Sequence, residues 1–189
     1  GLLNRRSFEN EVRRHLSAGG PVAIAIADLD HFKALNDTAG HDAGDRALRL
    51  FSKVLRESVR GEDVVGRYGG EEFVLAFPNL DRNGGRLALE RIRRALAAAQ
   101  RGDGPTFTCS FGVTDTGFGR ELSELIALAD SALYRAKEGG RDRVEVAPSE
   151  VVELATVRRS APPMRAAAPL PFGASDSLIP GPRSRASQT

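Results

Sequence analysis

A chain of 189 residues, 41% of them hydrophobic and 28% charged, has room for one globular domain and an appendage. It holds no apolar run near the roughly 20 residues a membrane helix needs, no signal-peptide pattern opens it, and its single cysteine, Cys109, excludes an internal disulfide or a cysteine-based zinc cluster. The net charge of +2 is uneven: residues 151–189 carry five arginines against Glu153 and Asp176, so the pI near 9.0 is weak ground for nucleic-acid binding by the remainder.

In chain order, residues 5–17 place Phe8, Val12, His15 and Leu16 on one helical face. Gly19-Gly20-Pro21 breaks that helix. Val22–Ala27 is apolar on both faces, the pattern of a central strand, and runs directly into Asp28-Leu29-Asp30. A short polar helix over 31–38 stops near Gly40. From Gly44 the series Ala47, Leu50, Phe51, Val54, Leu55 and Val59 has a 3.6-residue period, as a helix packed on a sheet requires.

Val64-Val65 and Phe73–Phe77 flank Arg67-Tyr68-Gly69-Gly70-Glu71-Glu72, which reads as a β-hairpin with two glycines and two acids at its tip. Pro78 ends it, Asp81 is the expected N-cap, and Leu89, Ile92 and Leu96 mark a helix to about Ala99. Gly102–Pro105 reads as a loop. Thr106–Val113 alternates, with Phe107, Cys109, Phe111 and Val113 on one face, so Cys109 is a core residue. Leu122, Leu125, Ile126, Ala129 and Leu133 define a last helix ended by Gly139-Gly140, and Val144–Val146 is a short final strand. Six of the ten prolines fall between 162 and 182, and no period survives there. The expected division is therefore a domain over 1–150 and a disordered Pro/Ala/Arg/Ser-rich tail over 151–189. A hairpin in mid-chain excludes purely parallel winding and points to a mixed α/β sheet covered by helices.

Asp28 and Asp30 lie at the carboxyl end of the first strand, where α/β sheets bind ligands. Two residues apart, they share a face if the strand continues. A strand-end acid meeting a hairpin acid such as Glu71 can hold Mg²⁺ together with phosphates, the arrangement of a two-metal nucleotidyl-transfer site. For Asp30 alone, capping and solvated charge is the simpler reading. An amide and a carboxylate, Asn36 and Asp45, match the donor and acceptor pattern of guanine. Lys137 and Arg141 bracket the end of the last helix, where they offset its dipole or hold a triphosphate. Neither a P-loop nor a GxGxxG pattern is present.

Asp28-Leu29-Asp30-His31-Phe32-Lys33 through Asn36 and His41 to Asp45, followed by Arg67-Tyr68-Gly69-Gly70-Glu71-Glu72-Phe73, resembles the GGDEF-domain diguanylate cyclases in their GGEEF form. Gly1-Leu2-Leu3-Asn4-Arg5-Arg6 and the stretch from Ala129-Asp130 to Lys137-Glu138-Gly139-Gly140-Arg141 agree with it, so the resemblance covers about residues 1–147. It implies a five-stranded, mainly antiparallel sheet with a βαββαβ core, similar to nucleotidyl cyclases and polymerase palms. It also implies condensation of two GTP into cyclic di-GMP with loss of two pyrophosphates.

By position, Asp28 and Glu71 would ligate Mg²⁺ or Mn²⁺, two ions per site, with the Leu29 carbonyl assisting. Glu71 or Glu72 would help deprotonate the 3′-hydroxyl. Asn36 and Asp45 would read guanine, and His31, Phe32, Lys33, His41, Lys137 and Arg141 would complete the nucleotide site. Gly69 and Gly70 would let the nucleotide lie against the hairpin. Arg60 and Asp63, in R-x-x-D spacing, with Arg91 would form an inhibitory product site. The resemblance implies action as a homodimer of two facing domains in the cytoplasm; no nucleic-acid partner and no membrane segment is expected for this chain, though a longer parent could be membrane-tethered. The upstream sensor or dimerisation region usual in the family is absent from it. The alternative is a non-catalytic receptor for GTP or cyclic di-GMP. Such receptors usually lack a hairpin acid or glycine that this chain retains.

Overall fold

The computed structural model describes residues 2–100 and 106–148. The expected loop at Gly102–Pro105 and tail at 151–189 lie outside them. Six strands form one mixed sheet in the order β1-β3-β4-β2-β5-β6: β1 (Leu3–Asn4), β2 (Val22–Leu29), β3 (Val64–Arg67), β4 (Glu72–Pro78), β5 (Cys109–Asp115) and β6 (Val144–Val146). The three central pairings are antiparallel, while the outer β1–β3 and β5–β6 pairs are parallel. The sheet thus has one strand more than the five expected. Two residues are too few to show a period-2 pattern, so β1 is invisible until Leu3 pairs with Gly66.

Five helices cover the sheet: α1 (Arg5–Ser17), α2 (Phe32–Ala39), α3 (His41–Ser58), α4 (Arg82–Ala99) and α5 (Leu122–Glu138). Alternation along the strands divides the core in two. Ala25, Ala27, Phe73, Leu75, Phe111 and Val113 pack with Phe51 and Leu55 of α3 and Leu89 and Ile92 of α4. Ile24, Ile26, Val74 and Ala76 pack with Phe8 and Val12 of α1 and Leu125 and Leu133 of α5. Cys109 is fully buried in the first layer, as its alternation predicts. Asp81 caps α4, its side chain accepting from Gly84 N at 2.8 Å.

Close backbone approach is decisive at two glycines. A Cβ on Gly112 would overlap the Ala129 carbonyl and the Leu133 amide, so α5 rests its backbone directly on β5. A Cβ on Gly44 would overlap the Asn36 amide, so α2 and α3 meet there. α3 begins at His41, directly after Gly40 at φ 81° and three residues before the apolar period becomes readable. No helix among the described residues is long and apolar enough to cross a membrane.

Candidate active site

The carboxyl end of β2, the β3–β4 tip, the start of α2 and the end of α5 converge at one end of the central strands. Antiparallel register sets Asp28 directly opposite Glu72, which puts both side chains on the α5 face. The tip is held in two ways. Leu29 N donates to Glu71 O at 3.4 Å, and the Arg67 guanidinium donates to the carbonyls of Gly69 and Gly70 at 3.2 and 2.5 Å. A side chain at Gly69 would press on the Glu72 carboxylate, whereas one at Gly70 would meet open space.

Asp28 is 7% exposed and pairs with Lys137 Nζ at 3.0 Å. Burial pushes its carboxyl above the usual range, Lys137 opposes that, and Asp30 adds to it. Burial also raises Glu71 and Glu72, and in both the next contribution is the charge of Asp28. Asp130, on the same helix as Lys137, is raised by burial and pushes Glu72 up further. Sequence reasoning placed no role on Asp130, although a seven-residue step from Lys137 is nearly two whole helical turns and so sets both on one face.

Among the described residues, no three Asp, Glu, His or Cys side chains gather as a ready cage for a metal ion. The donor set nevertheless suits a hard divalent cation. It consists of carboxylates raised by burial, with the charge of Asp28 raising Glu71 and Glu72 further, in a partly buried position where added positive charge relieves the repulsion.

His31 precedes α2 with a left-handed φ of 57°, which turns the chain from the strand end into the helix. Phe32 is buried under that first turn while Lys33 is exposed. Asn36 is half-buried against Gly44 at the α2–α3 junction, and the next residue along α3 is the exposed Asp45. His41 is exposed at the start of α3. Arg141, three residues past the end of α5, is half-buried and adopts φ 63°.

The second of the two strand-end acids is neither capping nor solvated. Asp30 is buried and accepts hydrogen bonds from Thr108, Ser110 and the Asp142 amide. Alternation along 106–113 does set Thr108 and Ser110 on the polar face, but nothing local pairs them with Asp30.

Another clamp escaped sequence reading. The Tyr68 hydroxyl donates to Glu9 Oε1 at 2.7 Å, Arg5 Nε donates to the same oxygen at 3.0 Å, and the Arg5 guanidinium lies 4.4 Å from the Tyr68 ring centre. The hairpin tip is thereby tied to the first turn of α1.

At the opposite end of β3, Arg60, Asp63 and Arg91 form a separate group. Asp63 Oδ2 accepts from Arg60 N at 2.7 Å, and Arg91 donates to Ser58 O at 2.9 Å. Burial raises Asp63 while the charges of Arg60 and Arg91 act in the other direction.

The family described as "Diguanylate cyclase, GGDEF domain" matches residues 1–143. Diguanylate cyclase DgcP of Pseudomonas aeruginosa is 44% identical over 155 residues, covering 78% of this chain but only 23% of that protein. The GGDEF domain of DgcB from Caulobacter crescentus, solved in complex with c-di-GMP, is 33% identical with a TM-score of 0.71, covering 77% of this chain and 91% of that one. The active GGEEF domain of a diguanylate cyclase from Vibrio cholerae has a TM-score of 0.74 at 27% identity, covering 79% of this chain and all of that one.

Proposed function

The chain belongs to the GGDEF-domain family of diguanylate cyclases, and from that premise we propose that it condenses two GTP into cyclic di-GMP with release of two pyrophosphates. The observation that carries the reading is Asp28 set opposite Glu72 at the strand ends and paired with Lys137, with its charge felt by both Glu71 and Glu72.

Asp28 and Glu71, with the Leu29 carbonyl, hold Mg²⁺ or Mn²⁺. Such an ion supplies charge stabilisation at the α-phosphate and the departing pyrophosphate. Asn36 and Asp45 orient guanine across the α2–α3 junction. Lys33, Lys137, Arg141 and the amides of His31 and Phe32 bind phosphate oxygens, a role suited to a helix start and to cationic groups near it. His41 lies at the rim of the same junction. Gly70 leaves room for the nucleotide on the hairpin. Glu71 or Glu72, both raised by burial and then by the charge of Asp28, accepts the 3′-hydroxyl proton as that oxygen attacks the α-phosphate of the other GTP.

Arg60, Asp63 and Arg91 bind the product and restrain turnover. Arg60→Ala is expected to raise the product concentration needed for half-inhibition at least tenfold, about the loss of one charge-assisted contact. Unchanged inhibition would remove the product site from the proposal.

Incubation with GTP and Mg²⁺, followed by chromatography for cyclic di-GMP beside a Glu71→Ala control, tests the main reading. Product from the unmodified chain alone supports it. No product at high protein concentration, with GTP still bound, favours a nucleotide receptor instead.

A further inference from the structure

Asp28-Leu29-Asp30 puts two acids at one strand end, and only the first stands opposite a hairpin acid. The second is 4% exposed, and the protein itself occupies its carboxylate. Oδ1 accepts from Ser110 Oγ at 2.7 Å, while Oδ2 accepts from Thr108 Oγ1 at 2.6 Å and from the Asp142 amide at 3.1 Å. A carboxylate has about four lone-pair sites, so three donors leave little for any other ligand. The Asp30 amide also donates to Thr108 O at 2.9 Å, which fixes the acid's own backbone.

The partner that matters is Asp142. Gly140, Arg141 and Asp142 have φ of 111°, 63° and 45°, three consecutive residues on the left-handed side. Residues carrying a Cβ keep such a conformation only where their surroundings enforce it. Here Arg141 N donates to Ala136 O at 2.9 Å, Arg93 pairs with the Asp142 carboxylate at 3.1 Å, and Asp30 takes the Asp142 amide. Arg141 sits between these anchors. Its side chain can point to a fixed place only if the turn around it does not relax.

The geometry points to Asp30 as a positioning residue: through the Asp142 amide it fixes the strained turn that aims Arg141 at the triphosphate, and it acts by hydrogen bonding, not as a ligand for a cation. This inference rests on the proposed nucleotide site. It separates the roles of the two acids, one facing the reacting phosphates and the other facing the protein.

Asparagine distinguishes the two ways Asp30 could act. Its oxygen can accept from Thr108 and Asp142 while its amide donates to Ser110, whose hydroxyl rotates to accept. GTP affinity in the presence of Mg²⁺, measured by titration calorimetry, is compared for the unmodified chain, Asp30→Ala and Asp30→Asn, and again for Asp30→Ala in an Arg141→Ala background. Asp30→Ala should weaken GTP about tenfold, and Asp30→Asn no more than about threefold. With Arg141 already removed, Asp30→Ala should cost less than about twofold more. Hydrogen exchange at the Asp142 amide should quicken in Asp30→Ala and stay slow in Asp30→Asn.

Unchanged affinity in Asp30→Ala, or additive losses with Arg141→Ala, overturns the role. If Asp30→Ala does not fold, Asp30→Asn decides: binding as weak as that of Arg141→Ala means charge is required and the hydrogen-bond account is wrong. A chain that binds GTP but forms no cyclic di-GMP sinks the cyclase reading alone, and the affinities still judge Asp30. An unmodified chain that binds no GTP sinks both.

Discussion

A carboxylate entering a protein loses water, and Asp28, Glu71, Glu72 and Asp130 do so within reach of one another, with Lys137 as the shared counter-charge. Their folded pKa values lie above the ordinary carboxylate range. Between that range and the raised values the folded state binds more protons than the unfolded chain, so stability falls as pH rises through the window and the whole penalty is present above it. Glu72→Gln should therefore raise Tm at pH 7 by a degree or two, on the order of a few tenths of a kcal/mol after solvent screening. The difference should vanish once acidification has protonated the cluster. Thermal unfolding from pH 4 to pH 8 checks this, and a lower Tm for the variant at pH 7 would refute the sign. A divalent cation relieves the same repulsion, so saturating Mg²⁺ should raise the Tm of the unmodified chain by several degrees and leave Asp28→Asn nearly unmoved. Equal shifts in the two proteins would mean that Mg²⁺ binds elsewhere.

The elements reach this site by contacts of very different sequence range, and that range governs what the sequence discloses. The core strands, the helices and the hairpin are readable because alternation and the 3.6-residue period repeat over many neighbours. The strand-end Asp28 and the glycine turn are readable too, as local signals, but which hairpin acid meets Asp28 is not: Glu71 is the expectation if the hairpin lies beside that strand, and the register sets Glu72 opposite it. What joins Tyr68 to Glu9, Asp30 to Thr108 and Asp142, or β1 to β3 lies 59 to 112 residues apart or spans two residues, so no local pattern carries it. The Tyr68 clamp has its own sign. Glu9 is held below its usual range, first by the Tyr68 hydroxyl and then by Arg5, and burial followed by Glu9 pushes Tyr68 up to about 12. A depressed carboxylate stabilises the fold above its unfolded pKa, and that stability is lost as pH falls through the folded value. Tyr68→Phe should cost about 1 kcal/mol near neutral pH and less near pH 4, measured by urea unfolding. Because phenylalanine keeps the ring packed on Phe8, a pH-independent loss would mean that the bond to ionised Glu9 is not what the hydroxyl contributes. At Gly112 the stake is larger, because α5 carries Lys137 and Asp130. Gly112→Ala must push the α5 backbone off the sheet and should lose about 1–3 kcal/mol or more.

For the whole molecule, the constraint is stoichiometry. In the proposed site Asn36 with Asp45 is one base reader and Lys137 with Arg141 one phosphate clamp, so one chain would present the parts for one GTP. Cyclic di-GMP contains two equivalent 3′–5′ phosphodiesters, each formed when one nucleotide's 3′-oxygen displaces pyrophosphate from the α-phosphate of the other. Two identical sites facing each other across a two-fold axis make both bonds by the same chemistry, and an isologous pairing of the faces that carry them is the simplest way to bring them together. The chain spans 23% of the Pseudomonas relative, so whatever pairs such domains there can reside outside the matched part. This chain is accordingly expected to gain activity per molecule as its concentration rises. Glu71→Ala protein should lower the rate of the unmodified chain when mixed in excess, because mixed pairs hold two GTP but only one complete set of acids. Specific activity that stays flat from nanomolar to micromolar protein, and is untouched by the inactive variant, would mean that one chain makes both bonds and the facing-domain account is wrong.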